Sequence, residues 1–311
     1  MGARPRARVS AGAPAPNPVL TVVDGVVPID KPAGWTSHDV VARSRRIYGQ
    51  RRVGHSGTLD PGATGLLLVG LGRATRLLRF LTELPKTYTA ELVLGVGTST
   101  LDDSGEVVAR GDPSGITPDQ LHAAAASLTG DILQVPPMVS AVHVGGRRLH
   151  ELARAGLEVD RPARPVHVDA FELAPTDDGA VWGMVVTCSS GTYVRVLAAD
   201  VGAAVGVPAH LRRLRRTAIG SFRAEAAWTL ERLEATPGLA VVALADALSD
   251  YPGFTVEGDE AAAVSHGRPL AARADGAGPW RVLDGSGLLL AMYERSDDGR
   301  LRPAVVVAGP Q

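Results

Sequence analysis

The sequence predicts a domain of mixed α and β structure followed by a small module of β-strands. Up to about residue 250, short apolar runs of strand type alternate with amphipathic helical segments. After Tyr251-Pro252-Gly253, turn signals separate β-type runs, including GLLLAMY at 287–293 and AVVVA at 304–308. We therefore place the main domain at residues 22–250 and the β-rich module at 251–311 of the 311-residue chain.

The first elements follow from turn and capping signals. A strand-like run opens at residue 22 and breaks at Pro32-Ala33-Gly34, after which Thr36 or Ser37 can cap a helix that Gly49 ends. The Gly and Pro content of GHSGTLDPGATG predicts a loop over 54–65. Residues 65–72 then form a short buried strand, and 73–84 a basic amphipathic helix.

The later elements of the main domain show the same alternation. Residues 86–98 alternate as a strand does, and 117–130 predict a helix capped by Thr117, with Pro118 at its first position and Gln120 completing a capping box. A strand from 181, a Ser/Gly turn and a helix that starts near Thr192 come next. A strand over 211–222 and a short helix in 243–253 complete the domain.

Composition narrows the class of protein. The chain is 45% hydrophobic and 21% charged, and its apolar runs fall far short of the roughly 20 residues that a membrane span requires. Cys188 is the single cysteine, which excludes an internal disulfide and a multi-cysteine zinc site. The eight histidines show no ligand spacing, so we expect no catalytic metal. Residues 1–21 predict a disordered, mildly basic leader, and the cytoplasm is the expected compartment.

Although the net charge is only −1, basic and acidic residues are strongly segregated along the chain. Eight arginines and one acid lie between Arg43 and Arg79, whereas eight acids and one base lie between Ala224 and Glu260. A second basic run, HLRRLRR, occupies 210–216. Such a distribution fits either solvated helix faces or a surface that binds a polyanion, and two basic runs can line one groove.

The acid within the first basic region is Asp60, in the Gly-rich loop. Few side chains obstruct the approach of a ligand to such a loop, although an Asp before a Pro is also a common turn former. A triad of Ser56, His55 and Asp60 is disfavoured because neighbouring side chains in a short loop seldom converge. No second carboxylate lies near enough in sequence to suggest a glycosidase pair. Asp60 is therefore the candidate for single-carboxylate chemistry.

Five blocks resemble the TruB family of tRNA pseudouridine-55 synthases, in the family's order, over about residues 24–222. They are DKPAGWTSHDVV, GHSGTLDPGATGLLLVGLGRATR, KTYTAELVLGVGTSTLDDSG, VPPMVSAVHVGGRRLHELARAG and CSSGTYVRVLAADVG. The resemblance implies an α+β pseudouridine synthase fold, with a large mixed, mainly antiparallel sheet flanked by helices, plus a C-terminal PUA-like RNA-binding domain. HGRPL at 266–270 resembles a stretch of that module. Val139 and His143 depart from the family pattern, where a Tyr and a Lys are usual.

The resemblance also implies site residues. Asp60 matches the catalytic aspartate, which attacks the target nucleotide so that the base detaches, rotates and rejoins through carbon, and Arg195 matches the arginine paired with it. Tyr88 would stack on the base and handle a proton, which makes it the third catalytic residue. Substrate contacts are implied for His55, which would enter the T loop of the tRNA, and for Tyr193, Lys31, Lys86, Asp102 and Leu211.

Three functions remain open at this point. The first is a monomeric enzyme that isomerises uridine 55 of tRNA by binding the T arm, with no protein partner, cofactor or membrane. The second is a synthase that depends on guide RNA and partner proteins, which the bacterial-type blocks disfavour. The third is an RNA-binding or RNA-folding module, which the presence of Asp60, Tyr88, Tyr193 and Arg195 disfavours as the sole role.

Overall fold

The computed structural model describes residues 22–138, 143–144, 147–148, 157, 159–271 and 276–307. The leader expected at 1–21 and the departure at Val139 lie outside these residues. His143 belongs to a short strand. None of the described helices is long and apolar enough to span a bilayer.

A mixed sheet forms the centre of the main domain, with nine strands among the described residues. Its order is β1-β3-β12-β4-β11-β10-β7, with β2 added beside β3 and β13 beside β12, and every pairing except β3–β12 is antiparallel. The predicted fold class is therefore confirmed. The strands are β1 Gly25–Lys31, β2 Val53–Ser56, β3 Thr64–Leu71, β4 Lys86–Leu94, β7 Gly130–Gln134, β10 Arg164–Pro175, β11 Val181–Cys188, β12 Ala209–Ile219 and β13 Phe222–Arg223.

Smaller sheets complete the β-structure. Two hairpins lie outside the large sheet, and a four-stranded sheet in the order β14-β15-β16-β17 forms the C-terminal module. The hairpin strands are β5 Val96–Thr98, β6 Val107–Arg110, β8 His143–Val144 and β9 Arg147–Arg148, and the module strands are β14 Gly253–Val256, β15 Trp280–Asp284, β16 Leu289–Arg295 and β17 Leu301–Val306.

The described helices are short, and the first of them has both a capping box at its start and a left-handed glycine at its end. They are α1 Ser37–Tyr48, α2 Leu78–Glu83, α3 Pro118–Ser127, α4 Val194–Ala204, α5 Leu230–Ala235, α6 Leu244–Ala247 and α7 Gly258–Ser265, with 3-10 turns at Gly72–Arg76, Ala224–Ala226 and Pro237–Ala240. The Thr36 side chain accepts from the amide of Asp39, whose carboxylate accepts in return from the Thr36 amide. Gly49 ends α1 in the left-handed conformation with φ 61°.

Two predictions about the first basic region need correction. The single helix expected over 73–84 is a 3-10 turn over Gly72–Arg76 followed by α2. The loop expected over 54–65 is shorter, because Gly54 and His55 already pair with β3 as part of β2. The irregular segment that carries Asp60 is therefore residues 57–63, which connects β2 to β3.

Three apolar clusters hold the main domain together. One lies under α3 and α4, and a second packs α1 against β1 and β3. The third is shared with the C-terminal module, because Leu289, Met292, Val305 and Val307 pack in the same cluster as Phe80. The module also has a separate core around Trp280 and Tyr293. The two parts of the chain are thus joined through continuous buried contacts.

Candidate active site

The loop that carries Asp60 is fixed from below by buried polar side chains. Ser37 Oγ accepts from the Leu59 amide at 2.9 Å, and the Arg216 guanidinium donates to the Gly57 carbonyl at 3.0 Å and to the Leu66 carbonyl at 2.7 Å. Arg216 is 1% exposed. A Gly-rich segment would otherwise sample many conformations, so these bonds give Asp60 a defined position.

Lys31 holds the other side of the loop. Its side chain is fully buried, and Nζ donates to the carbonyls of Pro32, Trp35 and Pro61 at 3.0, 2.8 and 3.2 Å. Burial, which opposes the charged form, lowers the pKa of Lys31 to about 8 despite the nearby Asp60 carboxylate. The geometry therefore favours a loop-positioning role over the substrate contact predicted from the sequence.

Arg195 joins the loop to the opposite wall. Its Nη2 lies 3.0 Å from Asp60 Oδ2 and its Nη1 lies 3.6 Å from Asp102 Oδ2. Nη1 also donates to the Thr100 carbonyl at 3.0 Å. Asp102 is held in turn by hydroxyl donors from Thr100 and Ser104. The guanidinium is thus fixed on both sides, and the two carboxylates predicted from the resemblance meet on one cation.

The Asp60–Arg195 pair separates two cavities. The first has a volume of about 280 Å³ and is lined by Tyr88 and Tyr193 together with the pair. The second, of about 430 Å³, lies on the Asp102 side. The first cavity therefore offers two aromatic side chains and an accessible carboxylate to a ligand.

The tyrosine walls come from different elements. Tyr88 projects from β4, where burial raises its pKa while the neighbouring Arg216 acts in the opposite direction. Tyr193 occupies the N-cap position of α4. The Gln134 side chain bonds to both backbone groups of Tyr193: the Tyr193 amide donates to Gln134 Oε1 at 2.7 Å, and Gln134 Nε2 donates to the Tyr193 carbonyl at 3.2 Å. Gln134 is 3% exposed and was missed by the sequence reasoning, because it lies 59 residues away.

Lys86 lines the first cavity beneath Tyr88. Its ammonium donates to the carbonyls of Thr82 and Leu84, and burial lowers its pKa to about 8, with Arg216 adding to the effect. Cys188 is buried nearby, and burial raises the pKa of its thiol to about 11. The floor of the cavity is therefore cationic, with Lys86 and Arg216 side by side.

His55 lies on β2, behind the loop rather than within it. Its ring meets that of His38 edge-on, with centroids 5.4 Å apart. Burial, together with the charges of His38 and Arg216, lowers the pKa of His55 to about 4. The imidazole is neutral near pH 7, and its Nδ1 is buried with no hydrogen-bond partner in the described part of the chain.

Leu211 and Leu214 of β12 take different positions relative to the two cavities. We call the first cavity, lined by Tyr88 and Tyr193, the base cavity. Leu211 is 1% exposed, belongs to the apolar cluster under α3 and α4, and borders only the second of the two cavities. Leu214 lines both cavities. Leu211 stays a predicted substrate contact on the side of the second cavity. Leu214 is an additional candidate at the first cavity, which it reaches because the register of β12 shifts between Arg212 and Arg215.

The close approach of β12 to β3 depends on Gly65. This glycine has φ 100°, and a Cβ built on it would lie 2.2 Å from the Arg216 carbonyl oxygen. Any other residue at this position would push apart the parallel β3–β12 pair. The Gly at the end of the Asp60 loop is therefore needed where the two strands meet.

Several arginines of the two basic runs make contacts within the protein, and the polyanion-binding groove stays a prediction. Arg212 and Arg213 pair with Glu91, and Arg215 pairs in a bidentate manner with Asp30. In the first run, Arg73 donates to the Val307 carbonyl at 3.4 Å and Arg76 donates to the Val306 carbonyl at 2.7 Å. Arg79 pairs with Glu294 at 2.7 Å. All three partners belong to the C-terminal module. Much of this positive charge therefore serves internal contacts.

Within the described ranges, no three His, Cys, Asp or Glu side chains come together in a way that could hold a metal ion. The expectation of a metal-free and cofactor-free site stays a prediction.

Comparison with known proteins decides the family. Residues 45–194 match the model of the TruB family pseudouridylate synthase N-terminal domain, 195–246 the tRNA pseudouridylate synthase B C-terminal domain, and 251–308 the C-terminal model of tRNA pseudouridine synthase II. A tRNA pseudouridine synthase B of Rhodococcus jostii (strain RHA1) is 46% identical over 293 residues, covering 92% of this chain and 94% of that protein. The chain belongs to the TruB family.

Two further relatives extend this TruB assignment. The tRNA pseudouridine synthase B of Thermobifida fusca (strain YX) is 46% identical over 296 residues, covering 93% of this chain and all of that protein. The crystal structure of a Cbf5-Nop10-Gar1 complex contains a chain that is 26% identical, with a TM-score of 0.73 over 92% of this chain and 85% of that one. This TruB member therefore shares its fold with a chain that was crystallised in a complex.

Proposed function

We propose that the chain is a tRNA pseudouridine synthase that isomerises uridine 55 in the T loop. The observation that carries this is the Asp60 carboxylate, 45% exposed, held 3.0 Å from a guanidinium that is 5% exposed, at the edge of a cavity with two tyrosine walls. The names of its TruB relatives support tRNA as the substrate.

The proposed chemistry assigns one task to each group. Asp60 attacks the nucleotide as a nucleophile, and Arg195 orients its carboxylate through the 3.0 Å ion pair. As the Asp60 carboxylate bonds to the sugar carbon, the bond from that carbon to the uracil nitrogen breaks. The uracil rotates in the cavity, and its ring carbon then bonds to the same sugar carbon and releases Asp60. The product contains the same atoms as the substrate and has the same oxidation level, so this reaction needs no cofactor.

The remaining groups hold the base and move a proton. A base cannot enter this cavity from within a folded tRNA loop, so the target nucleotide must flip out. Tyr88 and Tyr193 are placed to hold the flipped base, with Leu214 filling the side between them. After carbon attachment a proton leaves the base carbon and a nitrogen gains one. We assign this transfer to Tyr88, whose phenol can give its proton to the ring nitrogen and accept in return the proton that leaves the ring carbon; its raised pKa means that it acts as such a relay and not as a phenolate base.

We further propose that the enzyme acts as a monomer, without a protein partner or guide RNA, and in the cytoplasm. Coverage supports the stand-alone activity: this chain aligns with 94% and 100% of the lengths of two relatives named tRNA pseudouridine synthase B. The monomeric state and the compartment stay predictions from the sequence. The Cbf5 structure, which includes Nop10 and Gar1, is the reason to test the alternative.

The decisive experiment uses purified chain and unmodified tRNA transcript alone. Pseudouridine is mapped after incubation without added protein, guide RNA or cofactor. Conversion at position 55 supports the proposal, and a transcript with a C at that position should show none. No conversion by the chain alone would contradict the stand-alone activity. Conversion restored only by a guide RNA would favour the partner-dependent alternative.

A further inference from the structure

Strand β12 is interrupted where it passes Ala90 of β4. Arg212 is paired with Glu91 and Arg215 with Thr89, so Arg213 and Leu214 together stand opposite the single residue Ala90. Two residues against one form a β-bulge, which bends a strand and redirects its side chains. Leu214 occupies the bulge and lines both cavities beside the Asp60–Arg195 pair.

The bulge has an unfavourable backbone conformation at Arg213. Its φ is 55°, in the left-handed region that residues other than glycine adopt infrequently. Such conformations persist only where surrounding contacts hold them, and they occur often at ligand sites. Some contact must therefore compensate the cost at Arg213.

Glu91 supplies that contact. Its Oε2 accepts from Arg212 Nε at 2.6 Å and its Oε1 accepts from Arg213 Nη1 at 2.7 Å, so one carboxylate bridges the residues that enter the bulge. Burial alone would raise the pKa of Glu91, but the hydrogen bonds from both arginines outweigh it, and the pKa is lowered. The Glu91 carboxylate therefore stays ionised to a lower pH than an ordinary glutamate does.

We propose that Glu91 is a positioning residue, which holds the β12 bulge so that Leu214 faces the base cavity. Glu91 lines neither of the two cavities and acts through β12, whose Arg212 and Arg213 line the second cavity and whose Leu214 lines both. This inference rests on the proposed synthase activity, because the base is what Leu214 would contact.

The sharpest test compares Arg213→Gly with Arg213→Val. Both variants remove the same side-chain charge and the same bond to Glu91, and the site is exposed, so both should fold. Glycine adopts a positive φ freely, whereas a β-branched residue strongly avoids it. We expect the single-turnover rate on saturating tRNA to be about tenfold lower in Arg213→Val than in Arg213→Gly, because small displacements at a reacting centre have large effects on rate. Equal rates would overturn the proposal.

Glu91→Gln tests the carboxylate itself. We expect kcat to fall by about tenfold with KM changed less than threefold, since the base is misplaced while phosphate contacts remain. Arg213→Gly in the Glu91→Gln background should recover most of the rate. Glu294→Gln, which breaks the Arg79–Glu294 pair far from the cavities, is the matched control and should keep the wild-type rate. Tighter tRNA binding with unchanged kcat would mean that Glu91 only neutralises its arginines, and would overturn the proposal.

One readout is independent of catalysis. In protein labelled with ¹³C at leucine methyl groups, the Leu214 signal is assigned by its loss in Leu214→Met. It should move in Arg213→Val and stay near its wild-type position in Arg213→Gly. If the signal moves as expected but the wild-type chain modifies no tRNA, the proposed function fails and the positioning role stands. A signal unchanged in both variants overturns the positioning role alone.

Discussion

Arg195 meets Asp60 with its Nη2 3.0 Å from Oδ2, and the two side chains are exposed to very different degrees, 5% for the arginine and 45% for the carboxylate. The cation is thus fixed in the protein, while the carboxylate remains open to the cavity. A reactive group needs this combination, because a ligand can reach it while its partner stays in place.

Asp60→Asn should abolish pseudouridine formation and leave tRNA binding within about tenfold of wild type, because the change removes the nucleophile and no phosphate contact. Single-turnover assays and filter binding measure the two effects separately. Asp39→Asn, at the N-terminus of α1, is a control for an acid near the same loop. Turnover close to wild type in Asp60→Asn would contradict the role given to this carboxylate.

Asp102→Asn should lower the turnover rate by about ten- to a hundredfold, because Arg195 loses a charged partner that orients it. The effect should be smaller than that of Asp60→Asn. Arg195→Met leaves two carboxylates without their shared cation, and its loss should approach that of Asp60→Asn. Rates are compared at saturating tRNA. An Asp102→Asn enzyme as fast as wild type would mean that Thr100 alone orients Arg195.

The salt dependence of tRNA binding should be weaker than a count of arginines suggests. Arg46 and Arg51 make no ion pair among the described residues, and each should contribute about 0.7–0.9 to the log–log slope if it contacts a phosphate. Arg46→Ala and Arg51→Ala should therefore reduce the slope. Arg215→Ala should leave the slope unchanged, because that guanidinium is committed to Asp30. A drop in slope with Arg215→Ala would show that the Asp30 pair opens on binding.

His55 should make the protein less stable in mild acid. Its folded-state pKa is about 4 against an ordinary 6.5, so between these values the unfolded chain binds a proton that the folded chain does not. The free energy of unfolding therefore falls as the pH falls through this window. In His55→Gln the fall from about pH 7 to about pH 5 should be smaller, as measured by urea unfolding.

His167 gives a control of opposite sign. Its pKa is raised by the hydrogen bond to Asp131, so protonation stabilises the folded chain and that stabilisation is lost as the pH rises through its folded-state pKa. His167→Gln should therefore steepen the loss of stability in acid. The same pH response in both variants would contradict the assignment for His55.

The C-terminal module should unfold together with the main domain. Met292 is fully buried in the cluster shared with Phe80, so Met292→Ala should lower the free energy of unfolding by about 2–5 kcal/mol. Thermal unfolding should show one transition. A chain ending at residue 250 should aggregate or melt far lower, because the shared cluster would face water. Two separate transitions would show that the module unfolds independently of the main domain.

Local signals explain most of what the sequence predicted correctly. The capping boxes at Thr36 and Thr117 fix helix starts through bonds between residues three apart, and both are present in the structure. The same kind of reasoning could not find Gln134 or Glu91, whose partners lie 59 and more than 120 residues away. Nor could it find Leu214 at both cavities, because a β-bulge breaks the alternation from which side-chain direction is inferred.

The burial of Cys188 has a practical use in spectroscopy. Thiol reagents react with the thiolate, and a thiol with a pKa near 11 and no exposed surface offers almost none near neutral pH. A cysteine introduced on the surface, for example at Leu133 on β7, would therefore take up a fluorophore without competition from the native thiol. Docking of tRNA could then be followed in real time on an otherwise unaltered chain.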